Sequence, residues 1–131
     1  MLRYYCFMGK WMKEEIDKLI GEYSTVPPPW VMYNEHPLSL CWRMGGGESH
    51  IVLWGKWWSQ QNLTEDQKIA YFRKMPPPHC WLRFLIGAIW NIDTFKEKDK
   101  ITPYFNRISE LGFGTQKDYE QDYDDMKWLE S

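Results

Sequence analysis

Cysteine and uninterrupted hydrophobic sequence are both scarce in this chain. The three cysteines, Cys6, Cys41 and Cys80, are odd in number and widely spaced, which argues against a disulfide framework and for a reducing compartment. The longest apolar run, at residues 81–90, contains Arg83 and is about half the length of a membrane span. The N-terminal residues lack the basic start and clean apolar stretch of a signal peptide. These absences predict a cytoplasmic protein.

The spacings that mark metal and catalytic sites are also missing. The histidines and cysteines form no C-x-x-C, H-x-x-x-H or H-E-x-x-H motif, so we expect no metal ion, no cofactor and no catalytic residue. Cys80 lies in the first turn of a predicted helix, where the helix dipole lowers the pKa of a thiol. The alternative for Cys80 is a buried, inert thiol. The sequence therefore favours binding over catalysis.

Aromatic side chains, in contrast, are abundant: the 131 residues include nine tryptophans, eight tyrosines and six phenylalanines. A chain of this length forms one domain and buries about two-thirds of its unfolded surface. Each buried ring removes about 150–250 Å² from water, so a few rings suffice for a core. We expect the surplus at the surface, where tryptophan and tyrosine are typical of protein contacts. The alternative is a small core that uses them all.

The net charge of −2 is unevenly distributed. Residues 1–109 hold 14 basic and 11 acidic side chains, whereas residues 110–131 hold two lysines and seven acids. We therefore predict a compact helical domain at 1–114 and an acidic tail at 115–131, which is either a solvated end or a docked helix. Its candidate contacts with a basic partner are Asp122, Asp124 and Asp125.

Hydrophobic periodicity predicts a mainly α fold, a bundle of about five helices with a long ordered Pro/Gly-rich loop at residues 26–47. Thr64 and Gln67 fit a capping box. Thr102 is the predicted N-cap of the last firm helix, and Gly112 its stop. A short strand is the hypothesis for residues 2–8. The predicted helices are residues 10–23, 47–59, 65–75, 79–90 and 102–112.

The most informative segment is Trp-Arg-Met-Gly-Gly-Gly-Glu at residues 42–48. One interpretation is a site for a small anion, built from Arg43, the glycines 45–47, Glu48 and His50, because the N–H groups at a helix start bind anions. No P-loop or G-x-G-x-x-G spacing supports it. The other interpretation is structural: the glycines let the chain turn under Trp42, and Glu48 caps the helix and pairs with Arg43.

The order of residues around this segment resembles that of small uncharacterised bacterial proteins. The pattern is Pro-Pro-Trp, then Pro, then Trp-Arg-Met-Gly-x-Gly-Glu, then Trp-x-x-Trp, at residues 28–30, 37, 42–48 and 54–57. It extends to residue 81 if the Pro-Pro-Pro-x-x-Trp at 76–81 is included. The resemblance implies a compact intracellular protein of bacterial or phage origin, and it assigns no catalytic residue.

Protein binding is the function that these features favour. Nucleic-acid binding is disfavoured because the overall charge is acidic and no basic stripe is present. We predict a stoichiometric binding module, in its specific form an inhibitor or immunity-type protein that occludes a partner's active site. The predicted anchors are Trp30, Trp57 and Trp58, with Arg43 and Glu48 beside them. A homo-oligomer is an alternative, and the small-anion site is the rival function.

Overall fold

The computed structural model describes the backbone of residues 2–129 and the side chains of residues 9–129. Helices make up 70% of it, and residues 2–129 contain no strand, so the predicted mainly α fold is confirmed. The helices beyond the predicted five are one short helix in the Pro/Gly-rich loop and one near the C-terminus. The α-helices are α1 (Leu2–Tyr23), α2 (Pro29–Met32), α3 (Gly45–Gln60), α4 (Glu65–Lys74), α5 (Leu82–Trp90), α6 (Ile101–Glu110) and α7 (Gln116–Tyr123).

The chain divides into two compact units. The first unit comprises Met1–Asn34 and Leu38–Asn62 and contains α1, α2 and α3. The second unit comprises Glu35–Pro37 and Leu63–Ser131 and contains α4 to α7. The acidic segment at residues 115–131 belongs to the second unit and includes α7.

The start of the chain is helical, so the strand predicted at residues 2–8 is wrong. Leucine, arginine and methionine in this segment favour a helix, and no strict apolar–polar alternation opposes it. Gly9 interrupts α1 with a φ of 72°. After Gly9 the helix buries Met12, Ile16 and Leu19, whereas Ile20 and Tyr23, which the helical spacing also predicts on the apolar face, are exposed.

The Pro/Gly-rich loop, which lies in the first unit except for Glu35–Pro37, contains short helical turns rather than irregular chain alone. It includes α2 and a 3₁₀ helix at Leu40–Trp42. Residues 26–30 are all buried, and the three prolines among them hold φ near −65°. Helix α3 begins at Gly45, earlier than predicted, and packs on α1, α2 and the 3₁₀ helix. The loop is therefore part of the packed structure.

Helix α5 is the centre of the second unit. It packs against α4 and α6 and buries Leu82, Leu85, Ile86 and Ile89. Each of these side chains contributes about 1.5–3 kcal/mol by leaving water. None of the helices in residues 2–129 is both long and apolar enough to cross a membrane.

The helix ends of the second unit show which sequence signals were reliable. The capping box of Thr64 and Gln67 at the start of α4 is confirmed. The predicted N-cap at Thr102 is wrong, because a 3₁₀ helix at Lys98–Lys100 runs directly into α6 and the chain is already helical there. The stop at Gly112 is confirmed: its φ is 92°, and the Phe113 N–H donates to the Ile108 carbonyl oxygen at 3.0 Å, as in a Schellman motif.

Candidate binding surface

The glycines at residues 45–47 let the start of α3 lie against the preceding segment. A Cβ atom on Gly47 would overlap the backbone carbonyl of Cys41, and a Cβ atom on Gly46 would overlap the Tyr33 hydroxyl. Gly45 has a φ of 71°, which other residues rarely adopt. These glycines are used for close backbone packing and for turning the chain, as the structural interpretation expects.

Arg43 and Glu48 act separately at this loop. Among the described residues they form no ion pair, so the predicted pairing is wrong. The Arg43 guanidinium instead donates from Nη2 to the Leu38 carbonyl oxygen at 3.4 Å, a weak hydrogen bond. Glu48 is exposed in the first turn of α3, where the helix dipole favours its negative charge.

His50 is buried and faces the core of the first unit. Its Nε2 lies 2.9 Å from the Pro27 carbonyl oxygen, so Nε2 donates the hydrogen bond. Burial lowers the pKa of His50, although the bond to Pro27 and the nearby Glu15 charge oppose this. The structure therefore does not bring His50 together with the exposed Arg43 and Glu48 in the way that the small-anion site requires.

The lowered pKa of His50 predicts a loss of stability in mild acid. The unfolded chain takes up a proton near pH 6.5 that the folded chain does not, so the free energy of unfolding decreases as the pH falls below 6.5. One such group changes it by at most about 1.4 kcal/mol per pH unit. Urea unfolding between pH 7 and about pH 5 measures the slope. His50→Gln should reduce the slope of the unfolding free energy against pH, whereas His79→Gln, at an exposed histidine, should not. Equal slopes for both variants would contradict the assignment of this pH dependence to His50.

The predicted tryptophan anchors lie mainly in the core. Trp30 is 5% exposed and Trp57 is 7% exposed. Trp58 is half-buried and stacks on Trp54, with ring centroids 4.9 Å apart. All nine tryptophans are among the residues whose side chains the structure describes, and Trp11 alone is in the exposed class. Most of the indole rings thus stabilise the protein itself and are not available to a partner.

The predicted acidic contacts differ from one another in their surroundings. The Asp122 carboxylate accepts hydrogen bonds from the Cys80 N–H at 2.9 Å and Trp128 Nε1 at 3.3 Å, and it pairs with Lys127 Nζ at 2.8 Å. Burial acts to raise the pKa of Asp122, but these bonds outweigh it and hold the pKa below its ordinary value. The Asp122 carboxylate on α7 therefore connects this helix to Cys80, Lys127 and Trp128 of the second unit. Asp124 is exposed.

Asp125, the third predicted acid, is also exposed, and it accepts a hydrogen bond from the Lys127 N–H at 2.9 Å. Its carboxylate closes a local turn in the acidic segment. Asp124 and Asp125 are thus the two predicted acids whose side chains reach the surface.

Cys80 is a poor nucleophile in this fold. Its side chain is buried, and burial together with the Asp122 charge raises the pKa of the thiol. The dipole argument for a reactive Cys80 is therefore wrong, since desolvation dominates. Among the described residues, no group of three or more histidine, cysteine or acidic side chains is arranged to hold a metal ion.

Sequence reasoning missed the largest exposed apolar side chains of the loop. Leu38 is 61% exposed, Leu40 59% and Met44 57%, and all three lie within residues 38–44. We call these three side chains the apolar loop surface. No usable signal in the sequence predicts this exposure: Leu38, Leu40 and Met44 follow an every-second-residue pattern typical of a strand, yet the segment forms a 3₁₀ helix.

Comparison of the chain with known protein families, with curated proteins and with solved structures finds no match.

Proposed function

We propose that this protein is a stoichiometric protein-binding module and that the apolar loop surface is its contact with the partner. The observation that supports the proposal most strongly is the exposure of three large apolar side chains within one short segment. Several large exposed apolar side chains within one short segment favour an interaction site, whereas single exposed ones are ordinary.

The backbone that carries these side chains is fixed before any partner arrives. Ser39 Oγ accepts a hydrogen bond from the Cys41 N–H at 3.3 Å, and the Trp42 ring is buried and meets the Tyr33 ring edge-on at 5.9 Å. Gly47 holds the other end of the segment against Cys41. A preorganised loop loses little conformational entropy on binding, which favours affinity.

The chemistry of the loop specifies the kind of partner that fits it. Leu40 and Met44 require an apolar cleft, and the flexible thioether of Met44 adapts to its shape. The exposed Arg43 guanidinium between them makes a single weak hydrogen bond, so it is suited to a carboxylate at the rim of that cleft. The expected partner is therefore a protein with an apolar cleft bordered by an acidic side chain.

In the specific form of this proposal, the protein is a cytoplasmic inhibitor or immunity-type protein of bacterial or phage origin. A cytoplasmic location is supported by Cys41 and Cys80, which are thiols without a disulfide. The exposed Asp124 and Asp125 of the second unit form a separate candidate contact, suited to a basic group.

A matched pair of double variants tests the proposal. Leu40→Ser/Met44→Ser changes the apolar loop surface, and Met126→Ser/Leu129→Ser makes the same changes at exposed residues of the second unit. Tagged wild-type protein should capture a stoichiometric partner from its source cells, and the first variant should lose it while the second keeps it. Both should retain the wild-type unfolding free energy within about 0.5 kcal/mol.

Equal capture by both variants would exclude the apolar loop surface as the contact. A second copy of this chain could contact the apolar loop surface in place of another protein. Light scattering of the purified protein measures its oligomeric state and so tests this alternative. If the wild-type protein is a dimer and Leu40→Ser/Met44→Ser is a monomer, the apolar loop surface mediates self-association, and the proposal of a different protein partner is wrong.

A further inference from the structure

The second unit contains a pocket of about 340 Å³ whose walls combine apolar and charged side chains. This volume is near the lower end of the range of about 300–1,000 Å³ found for small-molecule sites, so it suits a ligand the size of one amino acid. The lining residues on which the argument depends are Arg83, Ile101, Phe105, Tyr119, Glu120 and Tyr123.

Arg83 is held in a fixed position at this pocket. Its Nη2 donates to the Thr94 carbonyl oxygen at 2.7 Å, and its Cζ lies 4.7 Å from the centre of the Phe95 ring. Its Nε is buried and has no hydrogen-bond partner. Because a guanidinium carries five N–H donors in a planar fork, Arg83 has further capacity to bind a carboxylate.

Ile101 and Phe105, which are both buried, form the apolar part of the pocket wall. The Tyr119 ring lies 5.3 Å from the Phe105 ring and 5.4 Å from the Tyr123 ring, so three rings follow one another along the wall. Burial and the neighbouring Tyr119 raise the pKa of Tyr123, against the opposing charge of Arg83. The neutral Tyr123 hydroxyl is available as a hydrogen-bond donor.

Glu120 adds a negative charge to the same pocket. It is exposed, and its carboxylate makes no hydrogen bond or ion pair with the described residues. We propose that this pocket binds a small zwitterion with an apolar body, such as a free aromatic amino acid. The ligand carboxylate lies at Arg83, its ammonium group at Glu120, and its side chain against Ile101 and Phe105.

Three probes that share a phenyl ring test the two charges separately by isothermal titration calorimetry. L-phenylalanine carries both charges, 3-phenylpropionate lacks the ammonium group, and 2-phenylethylamine lacks the carboxylate. We expect wild-type protein to bind L-phenylalanine with a dissociation constant of about 1 mM or lower. Each of the other probes should bind at least about tenfold more weakly, since a charge contact is lost.

Variants then assign the charges to residues. Arg83→Gln should weaken L-phenylalanine at least about tenfold, and circular dichroism checks that this variant is folded. Glu120→Gln, at an exposed residue, should weaken the binding of L-phenylalanine but not that of 3-phenylpropionate, because loss of a negative charge does not disfavour an anion. Glu110→Gln, an exposed glutamate of α6 outside the pocket, is the control and should change neither.

Several results would overturn the proposal: no heat of binding from L-phenylalanine up to about 10 mM, binding of 2-phenylethylamine as tight as that of L-phenylalanine, or an unchanged L-phenylalanine affinity in Glu120→Gln. All lining residues of the pocket belong to the second unit and the apolar loop surface belongs to the first, so this inference does not depend on the proposed protein contact.

Discussion

Gly47→Ala should destabilise the protein by about 1–3 kcal/mol, the range for added atoms in a closely packed site. The new methyl group would overlap the backbone carbonyl of Cys41. A backbone atom cannot move aside as a flexible side chain can, so α3 and the 3₁₀ helix at Leu40–Trp42 would have to separate. Alanine is favoured over glycine in a helix by about 1 kcal/mol, and the steric overlap must exceed that gain.

Gly55→Ala provides the matched control within the same helix. A Cβ atom on Gly55 meets nothing within 4 Å, so only the helix propensity changes and the variant should gain about 0.5–1 kcal/mol. Urea unfolding of the two variants should thus give changes of opposite sign. Stabilisation by both substitutions would contradict the close approach of α3 to Cys41.

Asp122→Ala should destabilise the protein by about 2–3 kcal/mol, because hydrogen bonds to a charged group contribute about 1.5–3 kcal/mol and the substitution removes the acceptor of two partly buried donors. The Cys80 N–H and Trp128 Nε1 would both lose their acceptor. Asp124→Ala removes the same charge two residues away, at the C-cap of α7. An acid is unfavourable at that helix end, so this control should be neutral or slightly stabilising.

The pH dependence of this difference follows from the lowered pKa of Asp122. The carboxylate contributes its full stabilisation above the unfolded-state pKa of about 3.8 and loses it as the pH falls through the lower folded-state value. The difference in the free energy of unfolding between wild type and Asp122→Ala, measured by chemical unfolding, should be constant above about pH 5 and should decrease below about pH 4. Equal effects of Asp122→Ala and Asp124→Ala at pH 7 would show that the acidic segment acts only through its net charge.

Local signals in the sequence predicted local structure well. The capping box of Thr64 and Gln67 and the stop at Gly112 need only the residues beside them, and the structure shows both. A second capping box, Thr115 with Asp118, begins α7 and follows the same pattern with aspartate in place of glutamate. The start of α6 differs from the sequence prediction because the preceding 3₁₀ helix at Lys98–Lys100 has no comparable signal.

The candidate site depended on contacts between distant residues, which a single sequence does not show. The number of aromatic rings alone predicts Trp30 and Trp57 as surface anchors. In the structure both are buried, and α2, which carries Trp30, packs on α3, which carries Trp57. Leu40 and Met44 look like core residues by hydropathy alone, yet both are exposed, Leu40 in the 3₁₀ helix and Met44 at the N-cap of α3. Hydrophobicity alone cannot distinguish apolar side chains that become buried from apolar side chains that stay exposed.

The most direct test of the central claim is the affinity of purified partner for Leu40→Ser/Met44→Ser, measured by titration calorimetry beside wild type. Burying one leucine and one methionine contributes about 3–6 kcal/mol; since part of this is offset on association, we expect one-to-one binding by wild type and at least about a 100-fold loss in the variant. An affinity within about twofold of wild type, with the unfolding free energy unchanged, would contradict the claim that the apolar loop surface binds the partner.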